Sequence, residues 1–227
     1  MTGMNNLHYG KAWDPTRHYQ DAAVADDYDR ARFSSPAGRL FNFLDRRAVR
    51  QALADLPPGS TLADMPCGTG RLADLALTLG FSVHGVDIAP AMLAVARRRL
   101  AAFGDRFTTE VADIQSLDPA RRFDVVLSAR FLMHFPPDGQ RVLIDALARR
   151  ARRRLVLTHG IDTALHRGRR AVKHATGLFQ NPAAFPVTEA QLAQMLAAAD
   201  FREIRRHRLL PVLSEAVVIV AERVGTP

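Results

Sequence analysis

The sequence contains a single cysteine, Cys67, in 227 residues. No intrachain disulfide can form, and the expected compartment is a reducing one, the cytoplasm. Lysine is nearly missing too: Lys11 and Lys173 are the only two, yet the net charge is +8, so the basic character is arginine. That excess reads either as an Arg- and Ala-rich coding bias with a solvated basic face, or as an anionic partner. The basic runs are not interleaved with aromatics, as they would be on a single-strand nucleic-acid platform. Long apolar runs are absent. The longest are strand-sized, such as Ala216–Ala221, far short of a membrane span. Met1–Trp13 has no apolar core of signal-peptide length. No histidine spacing with Cys67 or a carboxylate suggests zinc, and Gly-x-Ser-x-Gly does not occur, so neither a metal nor a serine nucleophile is expected. There is no internal repeat and no low-complexity tract. With 48% hydrophobic and 24% charged residues, the chain has enough apolar material for a globular core.

The stretch Thr61-Leu-Ala-Asp-Met-Pro-Cys-Gly-Thr-Gly-Arg-Leu-Ala73 is the organising element. A short apolar run carries one acid, Asp64. Gly68 and Gly70 follow, then a helical pattern at Leu72, Leu75, Ala76 and Leu79 that stops at Gly80. This is strand, tight loop, helix. Glycine suits a backbone that must turn with positive φ or admit a ligand closely. A helix N-terminus after such a loop favours a polar or anionic group.

Around this element the chain divides into four stretches. Residues 1–57 are read as a helical cap, with a helix from about Ala37 to Leu56 whose Leu40, Phe43, Leu44 and Leu53 face inward. Residues 58–159 alternate strands and helices. Strands are expected at Ser82–Val86, Arg106–Val111, Phe123–Ser128 and Arg154–Thr158, with helices at Pro90–Phe103 and Gly139–Ala151. That rhythm gives a parallel sheet with right-handed crossovers. Residues 160–187 break the rhythm and read as a basic, lid-like insertion. Residues 188–227 hold a helix capped by Thr188, with Leu192, Met195, Leu196 and Ala199 inward, then two runs, Glu203–Leu210 and Glu215–Glu222, able to pair antiparallel.

The glycine loop alone is a weak signal, since Gly68-Thr-Gly70-Arg-Leu-Ala73 also fits a dinucleotide fingerprint. Three acids make it stronger. Asp64 ends the first strand, Asp87 ends the second where it can accept from both ribose hydroxyls, and Asp113 follows the third, facing an exocyclic amine. Ile88 and Ile114, beside those acids, suit the faces of a purine. The series Leu62–Gly70, Gly85-Val-Asp-Ile-Ala-Pro-Ala-Met92, Ala112-Asp-Ile114 and Phe123–Ser128 resembles the class I S-adenosylmethionine-dependent methyltransferases. The resemblance covers roughly Gly59 to Thr158. It implies an α/β, three-layer Rossmann-like fold with a mostly parallel seven-stranded sheet and an antiparallel last strand. It implies S-adenosyl-L-methionine as cofactor and S-adenosyl-L-homocysteine as product. Asp64, Gly68 and Gly70 would surround the methionine part and Asp87 the ribose. Ile88 and Met92 would line the adenine, Asp113 and Ile114 would read its edge, and Ser128 and Ala129 would lie near the sulfonium. Met65-Pro66-Cys67 departs from the small residues usual before the first glycine.

Methyl transfer needs alignment and water exclusion, and a base where the acceptor must lose a proton. His134, in Ser128–Pro136 after the fourth strand, is the first candidate base, with packing among Phe131, Met133 and Phe135 as the alternative. His159 is the second. Arg130 can hold an acidic substrate group, and Tyr19 or Tyr28 can close over the cofactor. Between Ala146 and His174 lie nine arginines and lysines against one acid, Asp162. If the 160–187 segment binds substrate, the acceptor is anionic or carried by an acyl-carrier partner. The fourth strand ends in Leu-Ser-Ala-Arg, without the Asn/Asp-Pro-Pro-aromatic motif, and no length remains for an RNA-binding module. The expected function is therefore O- or N-methylation of a small molecule. A nucleic-acid or protein methyltransferase using the basic face, and an NAD(P)-dependent dehydrogenase, are the alternatives.

Overall fold

A computed structural model of the chain describes residues 22–118, 120–163, 167–168, 185–210 and 214–225. Tyr19 and the basic residues Arg169, Arg170 and Lys173 lie outside the described residues, as does most of the lid-like segment.

Seven strands form one sheet in the order β3-β2-β1-β4-β5-β7-β6. They are β1 (Thr61–Asp64), β2 (Ser82–Asp87), β3 (Phe107–Val111), β4 (Phe123–Ala129), β5 (Ala151–Gly160), β6 (Phe201–Arg208) and β7 (Ala216–Arg223). Strands β1 to β5 pair in parallel, and β7 runs antiparallel to both β5 and β6. This is the Rossmann-like arrangement expected. Asp124 fixes the register of β1 on β4, its Oδ2 accepting from the Thr61 amide at 2.8 Å and hydroxyl at 2.7 Å.

Successive strand residues point to opposite faces, and each face has its own core. Leu62, Val125, Leu127 and Val156 meet α2 (Pro36–Leu53), α3 (Arg71–Thr78) and α4 (Pro90–Arg99). Ala63, Val126, Leu155 and Leu157 meet α5 (Pro137–Arg150) and α6 (Glu189–Ala198). Thr188 caps α6 in a capping box with Gln191, and Leu192, Met195, Leu196 and Ala199 are buried as expected. The remaining helix, α1 (Ala22–Phe33), precedes α2.

The structure corrects the inward face of α2. Leu53 is buried and Leu44 packs on the core as expected, but Leu40 and Phe43 are exposed, at 49% and 60%, and Asp45, Ala48, Val49 and Ala52 are buried in their place. The helix turns this way because Asp45, fully buried, receives Arg71 at 2.6 Å. A buried carboxylate must be paired, so the partner decides which face goes in. Helix α4 also stops at Arg99, four residues early. A 3-10 turn, Ala101–Arg106, replaces its last turn, broken by Gly104 at φ 54°.

Candidate active site

The loop between β1 and α3 is held against the two strands that flank β1. The Met65 amide donates to Leu127 O of β4 at 2.9 Å, and the Cys67 amide to Val86 O of β2 at 2.8 Å. The Met65–Pro66 peptide is cis. Gly68 and Gly70 both have positive φ, 55° and 77°. Gly70 is doubly constrained: a Cβ there would lie 2.8 Å from Leu100 Cδ1 and 3.1 Å from Ala96 Cβ. Its role is to let α3 start against α4, and its own atoms do not line the cleft that opens beside the loop.

That cleft spans about 1050 Å³ of empty space, the open solvent at its mouth included. On the loop side it is lined by Asp64, Pro66, Cys67, Gly68, Thr69 and Leu72, and from β2 by Asp87, Ile88 and then Met92. Asp64 is 2% exposed. Burial pushes its carboxyl well above the usual carboxylate range; Arg71 and the Ala73 amide pull it down, and Asp87 adds to the rise. Asp87, 7% exposed, accepts from the Gly68 amide at 2.8 Å and the Ala89 amide at 2.9 Å. Burial raises its pKa despite those two bonds. Two buried carboxylates, with no cation among the described residues bonded directly to either, make this part of the cleft receptive to donors and positive charge. Burial and the two neighbouring acids likewise raise the Cys67 thiol, leaving it a poor nucleophile.

The rest of the cleft wall comes from α1 and the segment after β4. Tyr28, Asp29, Arg32 and Phe33 of α1 line the cleft, as do Ala129, Arg130, Phe131, His134 and Phe135. Helix α1 docks with little apolar contact, Ala25 and Tyr28 meeting Ala89 and Met92. Charge completes the docking. Asp26 pairs with Arg98, Asp29 pairs with Arg99, and the Asp29 carboxylate accepts the Thr69 hydroxyl at 3.0 Å. The Arg71 guanidinium reaches Asn42 Oδ1 at 2.8 Å and lies 5.1 Å from the Phe33 ring. His134 sits in a short 3-10 turn, Leu132–His134, beside the edge-to-face pair Phe131–Phe135.

Several expected positions lie elsewhere. Asp113 stands at the same sheet edge, two residues past β3, but its Oδ1 accepts the Gln115 amide at 2.9 Å and it does not line the cleft. Ile114 is buried in the core with Val86. Ser128 stays in the sheet at 1% exposure, its hydroxyl without a hydrogen-bond partner, and only its neighbour Ala129 reaches the cleft. His159 requires correction as a candidate base. It is fully buried, its Nε2 bonds Gln140 Oε1 at 2.7 Å, and its Nδ1 accepts the Gly160 amide at 2.6 Å. Burial lowers its pKa to about 4, so it is a neutral core histidine. Gln140 passes the link on, donating to Phe135 O at 2.8 Å and Phe185 O at 2.7 Å. Sequence reasoning did not find Phe33, Thr69 or Arg71. Only Arg71 carried a signal, as a charged residue in the first turn behind the glycine loop.

Residues 62–154 match a methyltransferase domain family. The magnesium-protoporphyrin O-methyltransferase of Synechocystis sp. is 29% identical over 63% of this chain and 64% of its own length. The ubiquinone biosynthesis O-methyltransferase of Paramagnetospirillum magneticum is 37% identical over 34% of this chain and 31% of its own. The chain thus spans less than two thirds of each of these relatives. In three dimensions it is similar to the magnesium protoporphyrin IX methyltransferase of Synechocystis PCC 6803 with bound S-adenosylhomocysteine. The TM-score is 0.69 at 23% identity, over 88% of this chain and 98% of that one. Among the described residues no helix is long and apolar enough to cross a membrane. Residues 62–154 thus match a methyltransferase domain, carried on a seven-stranded sheet of Rossmann-like order that the chain shares with these S-adenosylmethionine-dependent methyltransferases.

Proposed function

We propose that the chain methylates an oxygen or nitrogen of a small molecule, with S-adenosyl-L-methionine as donor and S-adenosyl-L-homocysteine as product. The observation that carries this reading is the pair of buried strand-end carboxylates, Asp64 and Asp87, lining one cleft beside the glycine loop together with Ile88 and Met92.

The donor set fits the cofactor. Asp87 keeps acceptor capacity toward ribose hydroxyls beyond the two amides it holds, and Ile88 and Met92 offer apolar walls to an adenine. Asp64, whose burial disfavours its charged form, would be drawn back to the carboxylate by a cationic amino acid part, as Arg71 already pulls it. When bound, the sulfonium supplies an activated methyl group whose leaving group is a neutral thioether. The chain's own part is position and dryness: Gly68 brings backbone close, and α1, through Tyr28 and Phe33, covers the cleft and keeps water out. His134 takes the proton that a hydroxyl or ammonium acceptor must lose.

Two relatives are O-methyltransferases of small molecules by name, which supports this acceptor class. The state of the surface arginines argues the same way. Arg149 pairs with Asp145, Arg152 with Asp124, Arg153 with Glu222, and Arg206 and Arg208 share Glu189, so part of the basic charge is already committed within the chain. Its lone cysteine keeps the cytoplasm as the compartment we assign. Calorimetry with S-adenosylmethionine against NAD(P) is the test: binding of the dinucleotide and not the sulfonium would overturn the reading.

A further inference from the structure

Strand order places the cleft's charges in sequence along one sheet edge. Asp87 ends β2, Asp64 ends the neighbouring β1, and Arg130 follows β4 on the far side of β1. Strands lie about 4.8 Å apart, so roughly 10 Å separates the ends of β2 and β4. Three arginines line the cleft. Arg71 is neutralised by Asp45. Among the described residues neither Arg130 nor Arg32 is paired with a carboxylate, although their neighbours Arg30 and Arg99 are.

Arg130 is held unusually. Its φ is 57°, a conformation that side-chain-bearing residues seldom adopt and that recurs at binding sites. Its amide donates to Thr158 O at 3.3 Å. Its guanidinium lies 5.5 Å from the Phe33 ring and 5.3 Å from the Phe41 ring. Aromatic rings occupy guanidinium faces and leave the in-plane N–H fork for recognition, and that fork matches a carboxylate. The residues beside it, Phe33, Phe131 and Phe135, are flat and apolar.

The geometry points to Arg130 as the carboxylate-binding residue of the acceptor pocket, and so to an acceptor that is a flat, apolar molecule bearing a carboxylate. This rests on the methyltransferase reading above. The same chemistry is present in the amino acid part of the cofactor. Arg130 follows β4, two strands from Asp87, and we give it to the acceptor; titration with S-adenosylhomocysteine separates the two carboxylates.

The test is calorimetry on the full chain and on Arg130→Gln and Arg130→Lys. Each protein is titrated with S-adenosylhomocysteine, then, when saturated, with 2-naphthoate and with its uncharged isostere 2-naphthamide at neutral pH. The wild type should prefer naphthoate by roughly tenfold or more, the size expected of a charged hydrogen bond. Arg130→Gln should erase that preference, Arg130→Lys should keep part of it, and neither should alter affinity for the homocysteine product. Equal binding of the two probes to the wild type, no saturable naphthoate binding, or an undiminished preference in Arg130→Gln would overturn the inference. Loss of S-adenosylhomocysteine binding in Arg130→Gln would hand the carboxylate to the cofactor and overturn it as well. Failure of the wild type to bind S-adenosylhomocysteine sinks the methyltransferase reading itself. Binding without a carboxylate preference sinks the present inference alone. The wild-type comparison of the two probes needs no variant, so a misfolded substitution leaves it decisive.

Discussion

Gly85 and Cys67 stand so close that a Cβ on Gly85 would fall 2.6 Å from the cysteine sulfur and 3.1 Å from its Cβ. The contact joins the middle of β2 to the floor of the cofactor cleft. Gly85→Ala should therefore destabilise the fold by about 1–3 kcal/mol through overpacking. Cys67→Ala removes the nearer atom and should recover much of that loss. Urea unfolding of the two single variants and the double variant measures the coupling. Strictly additive effects would mean the two sites do not meet.

Asp87 serves the loop and the cleft together, holding the Gly68 and Ala89 amides while lining the cavity. Asp87→Ala should weaken S-adenosylhomocysteine binding by about 1–3 kcal/mol, the usual cost of losing charged hydrogen bonds. Calorimetry reads it directly. Lost stability with intact affinity would make Asp87 a loop pin only.

His159 should shape the acid limb of stability. Its folded pKa is about 4 against an ordinary 6.5, so the folded state binds the proton less well than the unfolded state. Its contribution is complete above pH 6.5 and drains away as pH falls through 4, roughly 3 kcal/mol in all. Asp55, held by Arg154 at about 2, acts later, losing its contribution from pH 3.8 down to 2. Asp64 and Asp87, with raised values, take up protons in the folded state above pH 3.8 and work in the opposite direction. The difference between wild type and His159→Gln isolates the histidine. Urea midpoints should converge between pH 6.5 and 4 and run parallel below.

Two ion pairs tie α1 to α4, and they should differ in weight. Asp26–Arg98 is well exposed, and Arg98→Ala should change little. Arg99 also donates to Thr69 O at 3.0 Å, and its partner Asp29 holds the Thr69 hydroxyl in the cleft wall. Arg99→Ala should speed S-adenosylhomocysteine release several-fold in stopped-flow measurements, with the melting temperature nearly unchanged. Identical rates for both variants would separate α1 docking from ligand retention.

His134→Ala should lower turnover on any accepted substrate while leaving cofactor affinity as it was, the signature of a group acting on the reaction and not on binding. Unaltered turnover would return His134 to packing beside Phe131 and Phe135.

The sheet was legible because its signals are local. The apolar runs of β2 and β4, the acids at the ends of β1 and β2 and the Thr188 cap of α6 each lie within a few consecutive residues. Gly68 and Gly70 have the positive φ that the loop's composition implied. The face of α2 was not legible. Asp45 looks like a surface residue until Arg71, 26 positions away, is brought beneath it. The same holds for His159, whose two nitrogens are used up by Gln140 and a backbone amide in the interior. Asp113 fits the periodic order of strand-end acids, but it spends an oxygen on its own turn. Pattern gives the strand a residue follows; it does not give the partner its side chain takes.

The chain leaves the sheet at Ile161 and comes back beside it, Ile161 bridging Val187 and the Asp162 amide reaching Val187 O at 2.8 Å. Phe185 is fastened at the same place by Met133 O and by Gln140. Exit and re-entry are therefore one sealed doorway, built from residues that belong to the body of the protein. Both ends of the interval are thus moored by backbone bonds, so the frame around the cleft keeps its form up to the residue where the chain departs and from the residue where it returns.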